Sequence, residues 1–271
     1  MTDTPSYEIL AVRYGRFDRR VRSKNYLDSD DHETDDPLDL YIFAIRGNGR
    51  LIVVDTGCSR ESAQRRGRDV IRTPDEAMRL IGVDCKDVQE VVLTHMHWDH
   101  AGGIEYFPKA TFHLQADEMA FCTGHCMCSP LMRRPFDVEH VSNALRALYA
   151  DRMKFHQGSA EIAPGVSLHL IGGHTGGLQS LRVRTERGWV VLAGDASHLW
   201  NNIRSRNPFP VFADLSRMIE GWNLIESLAD GPDHIIPGHD PLILKRFPRH
   251  DGHEDVVRLD RQPIGWPADL G

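Results

Sequence analysis

The densest concentration of reactive side chains in this chain is the run Thr94-His95-Met96-His97-Trp98-Asp99-His100-Ala101-Gly102-Gly103. Three imidazoles and a carboxylate so close together suit neither a packed core nor a turn, because each buried polar head would need its own partner. As metal ligands the same spacing makes sense. His95 and His97, at i and i+2, can converge from one extended side on one cation, while Asp99 and His100, further round the turn, face a second. The glycines that follow let backbone come close to the ions.

Three further donors stand at the ends of expected strands with glycine beside them: His174 in IGGHTGG, Asp195 in VLAGDAS and His239 in IIPGHD. Any one of them alone reads as an ordinary structural residue. Together with the cluster they can share one cleft, and a carboxylate such as Asp195 can bridge two cations.

The elements that must position these donors are short apolar runs bounded by Gly, Asp or Pro: YEILAV near the start, LYIFAI at 40–45, LIVVD at 51–55, EVVLT at 90–94, TFHL at 111–114, VSLHLI at 166–171, SLRV at 180–183, WVVLA at 189–193 and HII at 234–236. The pair 40–45 and 51–55 and the pair 180–185 and 189–193 flank glycine-containing turns and predict hairpins. Thr73-Pro74-Asp75-Glu76 combines an N-cap, a proline at the first helical position and an acid at N3, predicting a helix that stops near Gly82. Apolar spacing predicts two more helices, over 138–150 and from Asp214 to about Asp230. Strand pairs with interspersed helices imply an α/β sandwich with mixed sheets in a single domain over 1–271, its core at roughly 7–247 and a tail at 248–271.

Composition narrows the partners. With 271 residues and a formal net charge of −7, the chain lacks the concentrated basic balance of a nucleic-acid or anionic-membrane binder. No apolar run approaches the roughly 20 residues needed to span a bilayer, and MTDTPSYEIL is not a signal peptide, so the expected location is the cytoplasm. Five cysteines fit reduced thiols better than a disulfide framework.

The motifs THMHWDHAGG, IVVDTG with Asp55, and the later His174, Asp195 and His239 resemble the metallo-β-lactamase superfamily. The resemblance covers nearly the whole chain and implies an αββα sandwich. It also implies that His95, His97 and His174 hold one metal, that Asp99, His100 and His239 hold a second, that Asp195 bridges them and that Asp55 orients the ligand loop. Nitrogen and carboxylate donors without thiolate suit zinc best, with iron, manganese or cobalt also compatible, so the expected cofactor is two divalent metal ions per chain. Such a pair, about 3.5–4 Å apart, lowers the pKa of a bridging water to around 7. The implied reaction is attack of a metal-bridging hydroxide on a carbonyl.

Asp195 separates this chain from several true β-lactamases, which carry cysteine there. No large extra domain or basic arm suggests an RNA-processing member, and no helical C-terminal segment suggests a glyoxalase II-like thioesterase. GGHTGGLQSLRV, AGDAS and PGHDPLILKRFP resemble the quorum-quenching N-acyl homoserine lactonases and the pyridoxolactonases. The expected activity is therefore opening of the ring of an acyl homoserine lactone or of another small lactone, acidic lactones included. Hydrolysis of another acyl bond (cyclic imide, amide or thioester) and an iron-dependent redox role on the same fold are the alternatives. The resemblance also allows a homodimer in which the acidic stretch 28–39 covers a neighbour's pocket; an EF-hand is excluded there by Glu33 where glycine is needed.

The departure from those lactonases is His198, where they commonly carry tyrosine. Either it has a structural hydrogen bond or it joins Asp99 in the chemistry, donating to the substrate carbonyl and protonating the leaving group. Trp98, Phe121 and Trp200 are candidate apolar walls, and Arg204, with Arg133, Arg134 and Arg206, is a candidate for pinning a substrate carboxylate. In CTGHCMC, the donors Cys122, His125, Cys126 and Cys128 fall within one short knuckle, whereas zinc sites normally pair two. Free thiols in a pocket-lining, irregular insertion over 122–135 are the expectation.

Overall fold

Alternation of side chains along the strands decides the layers. In the computed structural model, which describes residues 4–29, 34–68 and 70–265, one sheet contains β1 (Glu8–Phe17), β2 (Leu38–Gly47), β3 (Arg50–Val54), β4 (Glu90–Val92), β5 (Thr111–Gln115) and β6 (Met153–His156). A second contains β7 (Ala160–Ala163), β8 (Val166–Leu170), β9 (Gln179–Thr185), β10 (Gly188–Gly194) and β11 (Ile235–Pro237), and β12 (Val256–Arg258) returns to the first. The strand orders are β12-β1-β2-β3-β4-β5-β6 and β11-β10-β9-β8-β7. Both sheets are mixed: β3 through β6 run parallel, as do β10 and β11, and the other neighbours are antiparallel.

The helices are α1 (Arg60–Arg65), α2 (Pro74–Arg79), α3 (Ala116–Thr123), α4 (Pro130–Arg133), α5 (Val138–Tyr149), α6 (Trp200–Arg204), α7 (Leu215–Leu228) and α8 (Leu242–Arg246). On β1, Leu10 and Val12 pack with Ala63, Met78, Ala144 and Ala147 of the outer helices, while Ile9 and Ala11 face Val166, Leu168 and Val183 of the second sheet. On β10, Val190 and Leu192 join that central layer, and Val191 and Ala193 pack against Met218, Trp222 and Ile225 of α7. Three apolar layers between four layers of secondary structure, two sheets and two sets of helices, make the αββα sandwich. Each fully buried Val, Leu or Ile contributes about 1.5–3 kcal/mol, so a one-residue slip of β1 or β10 would exchange two layers at once.

Local signals act where the sequence places them. Gly47 pairs with Arg50 across Asn48 (φ 55°) and Gly49 (φ 72°), a left-handed two-residue turn. The Thr73 amide donates to the Glu76 carboxylate at 2.7 Å, and the Asp214 carboxylate caps α7 by accepting from the Arg217 amide at 3.1 Å. Two expectations need correction. Residues 122–135 are not irregular: α3 reaches Thr123, a single tight turn covers His125–Cys128, and α4 follows. The fold also extends past residue 247, because β12 pairs with β1 and buries Val256 and Val257, and the Ile9 amide donates to Asp260 at 3.2 Å. No described helix is long and apolar enough to cross a membrane.

Candidate metal centre

The donor-bearing loops all leave carboxyl ends of strands, so the sandwich delivers them to one edge. Asp55 follows β3, the His95–His100 loop follows β4, His174 follows β8, Asp195 follows β10 and His239 follows β11. Close approach is built in at glycines. A Cβ on Gly102 would stand 2.3 Å from the Trp98 carbonyl oxygen, and one on Gly238 would stand 2.6 Å from Asp195 Oδ1.

Donor atoms of His95, His97, His174 and Asp195 lie within 4.8 Å of one another, and so do those of Asp99, His100 and His239 and those of Asp195, His198 and His239. Asp195 is shared by the first and third groups. It also sits against the second: its Oδ1 is 3.0 Å from His239 Nε2 and 3.3 Å from His100 Nε2. All these residues are buried except Asp99, which is half-buried.

The outer nitrogens of the rings are anchored. His100 Nδ1 donates to Asp55 Oδ2 at 2.7 Å, His174 Nδ1 to the Val211 carbonyl at 2.7 Å and His239 Nδ1 to the Asp39 carbonyl at 2.9 Å. These tautomers follow from the acceptors. They turn the Nε2 lone pairs inward, the arrangement found behind metal-bound histidines. Asp55, itself at φ 63°, also accepts from the Thr94 amide at 2.7 Å and fixes the start of the ligand loop. Tyr14 donates to the Asp99 carbonyl at 2.7 Å.

What converges is short of positive charge. His174 Nε2 lies 2.9 Å from His97 Nδ1 and His100 Nε2 lies 3.3 Å from His239 Nε2, while His95 Nε2 is buried without a hydrogen-bond partner. Burial pushes the pKa values of His95 and His97 well down and that of His174 down, and neighbouring imidazoles add to the effect, so these rings are neutral donors. Burial also opposes charge on His100 and His239, but the carboxylates around them, Asp195, Asp55 and Asp99 for His100 and Asp195 and Asp99 for His239, together outweigh it and their pKa values rise. Burial alone would raise the Asp195 pKa; His239, His100 and His198 instead hold it well below the usual carboxylate range. A divalent cation would serve all these lone pairs together, and the donor set fits one.

A family model described as the metallo-beta-lactamase superfamily matches residues 35–239. The chain belongs to the metallo-β-lactamase superfamily. Among superfamily relatives, an N-acyl homoserine lactonase, AiiB of Agrobacterium fabrum, is 31% identical over 188 residues, a match spanning 62% of this chain and 66% of that protein. The fold superposes on a crystal structure of a quorum-quenching N-acyl homoserine lactone lactonase with TM-score 0.71 and 21% identity, covering 88% of this chain and 94% of the other. It also superposes on AidC, a dizinc quorum-quenching lactonase in complex with a product, with TM-score 0.68 and 17% identity, covering 88% and 92%.

In this superfamily member the donors form the floor of a cleft of about 620 Å³ that His97, Asp99, His174, Asp195, His198 and His239 help to line. Trp98 forms part of its wall, stacked on Phe17 at 6.1 Å between centroids. Phe121 lines a smaller chamber of about 190 Å³ that shares His97, His174 and Arg134 with the cleft and is otherwise largely apolar, with Leu131 and Met132 supplied by the 122–135 segment. Trp200 and Arg204 are not brought to this cleft. The Trp200 ring lies in the central apolar layer, its Nε1 donating to the Ile235 carbonyl at 2.6 Å, and with Arg204 it borders a separate cavity of about 220 Å³. Arg133 donates to the Met127 carbonyl, and Arg206 pairs with Glu226; only Arg134 of the expected arginines faces the cleft.

His198 is 6% exposed and stacks flat on Phe209, with ring centroids 3.4 Å apart and planes 6° apart. Its Nε2 lies 3.0 Å from Asp195 Oδ2, and its Nδ1 is buried without a partner. Burial holds its pKa well below the usual value despite Asp195. The cysteines do not gather: among the described residues no group of three or more close donors contains one. Cys122 is buried, Cys126 is half-buried and Cys128 is exposed.

Sequence reasoning missed the groups that hold the donors or ring the cleft from afar. Tyr14 and Asp39 have no motif around them. Arg20, Arg66 and Arg68 carry no signal separating them from other loop arginines. Glu118 is legible only as an acid in the first turn of α3, yet it is fully buried and accepts from the Met96 amide at 2.9 Å, the Thr175 hydroxyl at 2.6 Å and the Gly177 amide at 2.9 Å. Burial raises its pKa, and these donors oppose the shift.

Proposed function

We propose that the chain is a metal-dependent hydrolase that opens lactone rings at a dinuclear centre. The observation that carries this is the junction of donor groups at Asp195, whose carboxylate lies against histidines of both expected metal positions on the floor of an open cleft. The named activity of AiiB supports the choice of lactones. His95, His97 and His174 would hold one ion and Asp99, His100 and His239 the other, with zinc the ion best suited to these donors. Bound there, two such ions would supply Lewis-acid polarisation of the ring carbonyl and would acidify a water toward neutral pH.

The remaining work belongs to the chain itself. Asp55 and the carbonyls of Val211 and Asp39 fix the ligand tautomers, and the apolar side chamber accommodates the substrate's hydrocarbon part. His198 acts as a positioning residue. As a neutral ring with its single proton on Nε2, it donates to Asp195 and has none left for a substrate carbonyl. Phe209 holds the ring in that plane.

The test is a panel of lactones, amides and thioesters followed by proton release with zinc-, iron- and manganese-loaded protein. Ring opening with two zinc ions per chain is the expected result. Oxygen consumption by the iron form with no hydrolysis would overturn it in favour of redox chemistry. His198→Ala should lower metal content and kcat together; a loss of kcat with full metal would return His198 to a direct role at the substrate.

A further inference from the structure

The floor of the cleft accounts for its carboxylates and imidazoles but not for the charge around its mouth. Arg20, Lys24, Arg66, Arg68 and Arg134 all line the same cleft. Among the described residues the only carboxylates lining it are Asp99 and Asp195, both in the donor groups. Among the described residues none of the five cations pairs with an Asp or Glu side chain. Arg20 donates to the Asn25 side chain and the Lys24 carbonyl, Arg66 donates to the carbonyls of Arg134 and Phe136, and Arg68 lies over the Phe17 ring at 4.6 Å.

This is not the spill-over of a basic protein, since the chain carries a formal charge of −7. Burial, and then the neighbouring Arg68, draw the Arg20 guanidinium down to about 10 against the pull of Asp99, Asp195 and Asp36, which leaves it charged at neutral pH. Like charges gathered over a centre that is to hold cations repel it and one another unless an anion joins them. The carboxylate released by lactone hydrolysis forms at the floor, so it does not account for cations at the rim.

We propose that the cleft selects acyl substrates that carry an oxyanion of their own, a carboxylate in the first instance, held at the rim by Arg20 and Arg68 while the scissile carbonyl lies over the floor. This rests on the lactonase reading for the reaction and adds the substrate class. Arginine suits the task because its planar fork binds a carboxylate through two parallel hydrogen bonds.

The experiment compares a γ-lactone bearing a ring carboxylate with the matching carboxamide, using zinc-loaded protein. A charge-assisted contact of this kind gives a preference in kcat/KM of about 10- to 100-fold for the carboxylate. The preference should shrink as salt is raised from about 0.01 M to 1 M. Arg68→Gln and Arg20→Gln should each reduce the ratio about tenfold. A ratio near one in the native protein, or one that neither variant changes, overturns the proposal.

Calorimetry of glutarate and glutaramide binding keeps the two readings apart. If neither lactone opens, the lactonase reading fails. Glutarate binding that exceeds glutaramide binding and weakens in Arg68→Gln still supports the anion site, and equal binding to native and variant protein refutes it.

Discussion

At the floor of the cleft, three of the five candidate ligand imidazoles have their outer nitrogen tied to a protein oxygen within 2.9 Å, and a fourth, His95, has Thr94 Oγ1 at 3.1 Å. At the rim, five cations face the opening, and three of them, Arg20, Arg66 and Arg68, have neutral partners or an aromatic face behind them. The floor is over-determined and its donors can hardly turn without breaking a buried hydrogen bond. The rim is held by long side chains that can shift to meet a ligand. Chemistry that needs fixed geometry and recognition that needs charge are thereby assigned to different parts of one cavity.

Four substitutions probe that division. Asp195→Ala removes the carboxylate common to the donor groups; activity should fall by about a thousandfold or more, since several kcal/mol of transition-state stabilisation depend on the ions. Metal analysis should find at most one ion per chain, and a variant that kept two with near-native activity would show that the floor does not hinge on Asp195. Asp55→Asn leaves every ligand in place but weakens the hold on His100, so a 10- to 100-fold loss in metal affinity or activity is expected, measured by zinc titration against a competing chelator.

Glu118→Gln tests whether the floor's rigidity reaches into α3. Its amide nitrogen cannot accept from the donors at Met96, Thr175 and Gly177, and the unsatisfied group should cost about 1–3 kcal/mol in denaturant unfolding. Stability equal to the native protein would mean that the two ligand loops are held by other contacts. Arg66→Met removes a clamp on the carbonyls of Arg134 and Phe136, both at 2.8 Å, and should cost about 1 kcal/mol of stability without releasing metal. Loss of metal in that variant would erase the distinction between rim and floor.

The same division explains what the sequence discloses. The His95–His100 run is legible because residue type and spacing admit few other uses, and His174, Asp195 and His239 are legible because glycine-flanked strand ends bring donors to one edge. A sandwich is legible from short apolar runs paired across glycine turns with helices interspersed. The rim is not, because Arg20, Arg66, Arg68 and Arg134 come from separate loops and only the fold brings them together. Trp200 misleads for a related reason. Two residues after His198, it begins α6, and its amide donates to Asp240 Oδ2 at 2.9 Å, so its ring turns into the central layer while His198 stays at the cleft. β12 escapes notice because three residues in a charged, Pro- and Gly-rich tail carry too little periodicity to mark a strand.

Glu118 has one more consequence. Its carboxylate ties the backbone at Met96 to the backbone at Gly177, and it sits in the first turn of α3, whereas Phe121, Leu131 and Met132, which form the side-chamber wall, lie beyond it along the chain. The wall is therefore an exchangeable panel hung on a bolt. Segments of different length or sequence grafted after Thr123 can reshape the side chamber while the loops that carry the donor cluster keep their register.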